Sequence, residues 1–144
     1  MTRKIVVAFD GSEAGQRALA HAAEMAGQGQ ARLIVAHVLE WSPYSFLTAE
    51  ELAERHKRRE QELTRAREAV VAPVLKDLAE KGIEAEAEIR YGHVAETLAD
   101  IAKESGADSM IVGRTGATGM AARLFGSVML TLAQIAPVPL TIVP

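Results

Sequence analysis

The chain has 144 residues, of which 49% are hydrophobic and 4% aromatic, with a formal net charge of -3 and no cysteine. This length supports one hydrophobic core, so we expect a single domain over residues 1–144. The charge and aromatic content argue against nucleic-acid binding, which depends on clustered positive charge, and the lack of cysteine excludes disulfides, thiol redox chemistry and cysteine-bound zinc.

The first forty residues alternate strand and helix patterns. The apolar run at residues 5–9 predicts a parallel strand that is buried on both faces, and residues 33–38 predict a second strand of the same kind. Between them, Ser12 is placed to cap a helix that runs to about Ala26, with Gly27 and Gly29 as stop signals. We therefore expect a strand, a helix and a strand in this order.

A long charged segment follows the second strand. Residues 41–47 predict a loop, and Thr48 with a glutamate three positions later has the capping-box pattern that opens a helix extending to about Gly82. Basic residues of this helix are interleaved with glutamates, which favours a solvated face over a nucleic-acid patch. Pro73 is expected to kink or split the helix because proline lacks the N–H of the ladder and clashes with the preceding turn.

The second half of the chain continues the alternation. Residues 85–90 alternate alanine or isoleucine with charged side chains, which indicates an edge strand with one wet face. A helical pattern at residues 93–105 and a buried strand at residues 109–112 follow. Pro139 precedes the last strand, and proline is tolerated at the start or edge of a sheet rather than inside a central strand. The third and fifth strands are therefore predicted at the sheet edges.

Glycines recur at fixed spacing after the fourth strand. The pattern opens with Gly113-Arg114-Thr115-Gly116 and, nine residues later, reaches Gly126-Ser127, where a helical run from Val128 begins. Strand, glycine loop and helix start bring free N–H groups and the positive end of a helix together, which suits phosphate oxygens. The glycine spacing alone is equally consistent with simple turns, Ser127 then being a helix N-cap. The helical spacing after Ser127 favours a nucleotide site.

Two better-known phosphate loops do not fit this chain. A Walker loop places a lysine directly after its last glycine, whereas Ser127 and Val128 occupy those positions here. The first strand-to-helix turn, Asp10-Gly11-Ser12-Glu13, lacks the glycine fingerprint of dinucleotide-binding proteins. Hydride-transfer chemistry is disfavoured for this reason.

Three features in this order resemble the universal stress protein family: the strand that ends in Asp10-Gly11-Ser12, the G-x2-G-x9-G-[S/T] pattern, and the closing sequence Ala-Pro-Val-Pro-Leu-Thr-Ile-Val at 136–143. The resemblance covers the whole chain. It implies a single-domain, Rossmann-like α/β fold of the adenine nucleotide alpha hydrolase type, a three-layer sandwich with a five-stranded parallel sheet and helices on both faces. Together with the edge signals it predicts the strand order 3-2-1-4-5, with a crevice at the ends of strands one and four.

The resemblance and the glycine pattern predict ATP in this crevice, with any Mg²⁺ carried by the phosphates. Asp10, an acceptor-only carboxylate, is expected to serve the nucleoside end, while backbone N–H groups of the glycine region and one hydroxyl hold the phosphates. By resemblance, the backbone of Val38 reads the adenine edge; Ala8, Val112, Arg114 and Thr115 line the site, although they also suit ordinary strand ends and loops. The predicted binding residues are Ala8, Asp10, Val38, Val112, Gly113, Arg114, Thr115, Gly116, Gly126, Ser127 and Val128.

The sequence offers little catalytic machinery. The glycine region contains no lysine, and no carboxylate pair near it is placed to hold a metal, so we expect at most slow hydrolysis and no dedicated catalytic residue. Arg123 could reach a γ phosphate, but a surface position is favoured, and Ser12 is interpreted as a cap rather than a nucleophile. The histidines lie on different predicted elements without metal-ligand spacing, His93 being a helix-start residue; they are His21, His37, His56 and His93.

The leading functional prediction is an ATP-binding regulatory module of the stress response, a role that comes from the resemblance alone. Its apolar edge strand, Leu140–Val143, predicts a homodimer. Without a secretory leader pattern or an apolar run of membrane length, we expect a cytoplasmic protein with no membrane contact. The alternatives are a slow ATPase or related adenine-nucleotide hydrolase, and a nucleotide-free dimerisation protein. A receiver-type phosphoacceptor domain ranks last because Asp10 stands alone and no lysine follows Lys103.

Overall fold

The computed structural model describes residues 2–29, 31–40, 48–114 and 120–144, with the backbone alone for residues 120–127. Strands and helices alternate along the chain, as the sequence predicts. In order they are β1 (Arg3–Ala8), α1 (Glu13–Gly29), β2 (Ala31–Glu40), α2 (Ala49–Arg65), a π-helical segment (Ala66–Val71), α3 (Ala72–Glu80), β3 (Ala85–Gly92), α4 (Val94–Ser105), β4 (Ser109–Gly113), α5 (Met120–Ile135) and β5 (Leu140–Val143).

The five strands form one parallel sheet in the order β3-β2-β1-β4-β5. The predicted order is confirmed, with β3 and β5 at the edges. In the register, Val7 of β1 lies between Val35 of β2 and Ile111 of β4. Because the chain winds outward in both directions from β1, the carboxyl ends of β1 and β4 flank the point where strand order reverses.

Both faces of the sheet are covered by helices, as the continuous apolar strands predict. On one face, Val6 is fully buried in a cluster with Leu98 of α4 and residues of α5. On the other face, Val7 packs with Ala18 of α1 and Leu78 of α3. Adjacent residues of β1 thus serve two separate cores, which is the arrangement of a three-layer sandwich.

Helix α1 extends further than the sequence predicts. It continues through Gly27 and ends at Gly29. A glycine inside a helix costs only about 1 kcal/mol relative to alanine, and the stripe of buried alanines on α1 that faces the sheet compensates for it. These alanines are Ala14, Ala18, Ala22 and Ala26.

The long charged helix begins as predicted, and its hydrogen-bond spacing changes in the segment before the proline. Thr48 caps α2 through a reciprocal pair, in which the Glu51 N–H donates to Thr48 Oγ1 at 3.2 Å and the Thr48 N–H donates to Glu51 Oε2 at 3.4 Å. Before Pro73 the ladder shifts to π spacing, with the Ala72 N–H donating to the Arg67 carbonyl. Pro73 then lies in the first turn of α3, the part of a helix in which proline is best tolerated.

Candidate functional site

The ends of β1 and β4 lie side by side at the carboxyl edge of the sheet. Ala8 and Val112, the predicted lining residues at these ends, are 7% and 1% exposed, so their side chains belong to the core. Asp10 follows β1, and Gly113 is the last residue of β4. The structure therefore brings the acidic turn and the start of the glycine region to the same edge.

A short hydrogen-bond network fixes the Asp10 carboxylate. Oδ1 of Asp10 accepts from the Ser12 N–H at 2.9 Å and from the Ser12 hydroxyl, and Ser12 Oγ in turn accepts from the Gly15 N–H at 3.0 Å. Gly11 turns the chain between them with φ of +84°, a conformation that favours glycine. The interpretation of Ser12 as the cap of α1 is confirmed.

Two glycines keep the first turn of α1 close to both strand ends. A Cβ on Gly15 would lie 2.7 Å from Asp10 Oδ1, and one on Gly113 would lie 2.8 Å from the Ala14 carbonyl oxygen. Gly113 thus has a packing reason for lacking a side chain, in addition to the ligand approach inferred from sequence. Gly15 was missed by the sequence reasoning, because its requirement arises from a distance that only the folded turn defines.

A buried histidine joins β1 to β2 beside this turn. His37 is 8% exposed, and its Nδ1 donates to the Phe9 carbonyl at 2.7 Å. The Phe9 N–H donates to the Ala36 carbonyl at 2.9 Å, so both backbone polar groups of Phe9 are hydrogen-bonded to β2. Val38, the residue predicted to read an adenine edge, follows His37 on β2 and packs partly into the core beneath α4 and α5.

The glycine region differs from the sequence prediction. Thr115 and Gly116 lie outside the described residues. Helix α5 begins at Met120 rather than at Val128, so Gly126 and Ser127 lie within it and not ahead of it. The physical reason is the good helix-forming sequence from Met120 onward, which one glycine worth about 1 kcal/mol does not interrupt.

Arg114 and His93 lie next to the ends of secondary-structure elements, and Arg123 lies within a helix. Arg114 is exposed, and its N–H donates to the Val143 carbonyl of β5 at 2.7 Å. Arg123 lies within α5, at a position where the structure describes the backbone alone. His93 occupies the N-cap position of α4 in extended conformation, without a side-chain cap hydrogen bond.

Two other features are absent from the described residues, a metal-binding cluster and a membrane-spanning helix. Across those residues, no three histidine, aspartate or glutamate side chains gather in a way that could hold a metal ion. Among the described helices, none combines the length and the apolar character that crossing a membrane requires.

These features define a doubly wound α/β protein with a candidate ligand crevice at its topological switch point. The family model described as the universal stress protein family matches residues 1–144, and the chain belongs to that family. It is 31% identical to the universal stress protein YxiE of Bacillus subtilis, over 99% of each chain. It is 30% identical to the universal stress protein MJ0531 of Methanocaldococcus jannaschii, over 98% of this chain and 81% of that protein.

Solved structures share the fold over almost the whole chain. The structure of the hypothetical protein MJ0577 has a TM-score of 0.79 at 25% identity, covering 99% of this chain and 96% of that chain. The universal stress protein from Archaeoglobus fulgidus in complex with dAMP has a TM-score of 0.65 at 20% identity, covering 100% and 98%. An Arabidopsis thaliana family protein with AMP bound has a TM-score of 0.64 at 17% identity, covering 98% and 90%. For the Archaeoglobus and Arabidopsis proteins, which are 20% and 17% identical to this chain, the similarity shows a shared fold alone.

Proposed function

We propose that this protein binds an adenine nucleotide, ATP in the first instance, in the crevice at the ends of β1 and β4. One observation carries the proposal: the Asp10 carboxylate is held by Ser12 at the same sheet edge where β4 ends at Gly113. Family members of the same fold have been solved with dAMP and AMP, which supports this ligand class. Bound nucleotide would act as a regulatory signal in the stress response, with no dedicated catalysis.

The two ends of the ligand would meet different chemistry. Asp10 offers only acceptors when ionised, so it suits the exocyclic amine or the ribose hydroxyls and would repel phosphate. The phosphates would lie toward Gly113 and the residues that follow it. Val38 would contribute backbone groups to the adenine edge, as the family resemblance implies, and Ala8 and Val112 would close the floor of the crevice from the core side.

Phosphate binding by the later glycines has a structural consequence. N–H groups well inside a helix are engaged in its ladder and unavailable to a ligand. If the amides of Gly126, Ser127 and Val128 hold phosphates, α5 must begin about two turns later than Met120 in the bound state. Nucleotide binding would then reduce the helical content at the start of α5.

Isothermal titration calorimetry of nucleotide-free protein with ATP, with and without Mg²⁺, tests the proposal. We expect saturable binding of ATP, weaker binding of GTP, and weaker but still measurable binding of ATP by Asp10→Ala. Gly126→Val should reduce ATP binding more than binding of adenosine, since it affects the phosphate end. No saturation by any adenine nucleotide up to millimolar concentration would contradict the proposal.

A phosphate-release assay on the same samples decides between binding and hydrolysis. ATP recovered intact after prolonged incubation would favour the regulatory module. Release that disappears in Gly116→Val would favour the slow ATPase that the sequence leaves open.

We further propose that the protein works as a homodimer through β5. Among the residues that the structure describes, this strand pairs with β4 on one side and with no strand on the other, and Ile142 is 44% exposed. An unpaired apolar edge strand tends to associate unless something covers it.

A further inference from the structure

The turn between β1 and α1 holds one oxygen of a carboxylate in a defined place. We name this group of Asp10, Ser12 and Gly15 the carboxylate seat. Asp10 Oδ1 accepts from the Ser12 N–H at 2.9 Å and from the Ser12 hydroxyl. The Ser12 hydroxyl oxygen also accepts from the Gly15 N–H at 3.0 Å. The first turn of α1 therefore fixes the Ser12 side chain, which in turn fixes Asp10.

Gly15 contributes space as well as its N–H. A Cβ at this position would lie 2.7 Å from Asp10 Oδ1 and 3.1 Å from Ser12 Oγ. Heavy-atom approaches this short are repulsive for carbon against oxygen, so a methyl group at position 15 must displace the carboxylate. The group that moves is a side chain rather than backbone, so the helix itself can remain in place.

The seat leaves the two oxygens of Asp10 in different situations. Oδ1 accepts two hydrogen bonds from Ser12. Among the residues that the structure describes, no hydrogen bond reaches Oδ2 of this half-buried side chain. An acceptor whose partner oxygen is already fixed has little freedom left to lose when it binds a donor, and such preorganisation strengthens binding.

We propose that Ser12 and Gly15 are positioning residues of the nucleotide site: without contacting the ligand, they fix the direction in which Asp10 Oδ2 meets the nucleoside. The inference rests on the proposed nucleotide binding. It adds that affinity for the nucleoside end depends on two residues whose other role is to begin a helix. A purely structural role would change stability and leave affinity unchanged.

Alanine at position 15 separates the two roles. Alanine is a better helix residue than glycine, so Gly15→Ala should not weaken α1 by propensity. Its methyl group nevertheless meets the carboxylate. We therefore expect Gly15→Ala to bind ATP about tenfold more weakly, the change expected when a hydrogen bond to a charged group is lost. The control is Gly27→Ala on the same helix, where a Cβ meets nothing within 4 Å.

Serine at position 12 offers a second pair of variants. Ser12→Ala removes the hydroxyl that bonds Asp10 and should also weaken ATP binding about tenfold. Ser12→Thr retains the hydroxyl and should restore affinity to within about threefold of the unmodified protein. Thr48→Ala removes an equivalent cap from α2, far from Asp10 in the chain, and should bind ATP normally.

The experiment measures ATP and tripolyphosphate affinity by calorimetry for these variants, alone and combined with Asp10→Ala, and follows folding by circular dichroism. We expect Ser12→Ala and Gly15→Ala to weaken ATP but not tripolyphosphate, and to have no further effect when Asp10 is already alanine. Equal ATP affinity in Gly15→Ala and Gly27→Ala would overturn the inference while leaving nucleotide binding intact. If the unmodified protein binds no nucleotide, the proposed function itself fails and the inference fails with it. If Ser12→Ala does not fold, the Gly15 pair decides.

Discussion

At the scale of single residues, Gly113 has a packing role that does not depend on the ligand site proposed for it. The Cβ of any other residue there would lie 2.8 Å from the Ala14 carbonyl oxygen and 2.9 Å from its carbon. Both are backbone atoms of α1, which cannot move without shifting the helix. The missing side chain therefore lets α1 approach the end of β4, independently of any ligand.

We expect Gly113→Ala to lower the free energy of unfolding by about 1–3 kcal/mol, the usual cost of forcing an extra carbon into a packed contact. Urea denaturation followed by circular dichroism measures the change. Gly27→Ala is the matched control and should be neutral or stabilising by up to about 1 kcal/mol, because its Cβ meets open space. Equal stability of the two variants would show that α1 and β4 are not in this close contact.

At the scale of elements, α2 stands out because none of its residues is buried. Near its C-terminal end, it is attached to the sheet edge by Tyr91 of β3, whose hydroxyl donates to Glu62 Oε2. The Arg59 guanidinium lies 5.4 Å from the centre of the tyrosine ring. Burial, and then the hydrogen bond and charge of Glu62, raise the pKa of Tyr91 to about 12, so the hydroxyl keeps its proton throughout the neutral range.

Because little apolar surface holds α2, we expect it to open locally at a lower free energy than α1 or α4. Tyr91→Phe should speed hydrogen exchange across α2 and leave exchange in α1 unchanged, as measured by mass spectrometry of peptic fragments. The raised pKa stabilises the neutral phenol in the fold. This contribution is complete below pH of about 10, the ordinary phenol value, and is lost as pH rises through about 12. Unchanged hydrogen exchange in α2 of Tyr91→Phe would show that the tyrosine hydroxyl does not hold α2 against the sheet.

Element boundaries are also where the sequence reasoning was least accurate. Periodicity predicted which faces are buried, because β1 reads as a continuous apolar run and α1 as an alanine stripe. It did not predict that α1 passes Gly27 or that α5 starts at Met120, since each boundary depends on about 1 kcal/mol of helix propensity. The sequence predicted a kink or a split at Pro73. It did not predict the π-helical segment before the proline, in which each hydrogen bond spans one residue more than in an α-helix.

The candidate site also has parts that the sequence predicts and parts that it does not. The Asp10-Gly11-Ser12 turn and its cap could be predicted, because the pattern is local and its chemistry follows from side-chain type. The requirement for glycine at position 15 could not be predicted. It depends on the distance of 2.7 Å at which a Cβ there would meet Asp10 Oδ1, and only the folded turn defines that distance.

At the scale of the whole molecule, the strand order was predictable only because edge signals and the family resemblance agreed. The alternating charged residues of β3 and the proline before β5 indicate edges, but neither feature identifies the central strand. Within the described part of the chain, the confirmed order leaves β5 with one side free of a strand partner, and Ile142 of this strand is 44% exposed. This free side is the physical basis for the proposed homodimer.

We expect the protein to be dimeric at micromolar concentration and Ile142→Lys to shift it to monomer, because a lysine on an edge strand opposes pairing with a second strand. Size-exclusion chromatography with light scattering over a dilution series gives the mass directly. Leu52→Lys is the control: Leu52 is 53% exposed on α2, away from β5, and its replacement should leave the dimer intact. A monomeric mass for the unmodified protein at every concentration would contradict the dimer. Dissociation of both variants alike would place the interface elsewhere than β5.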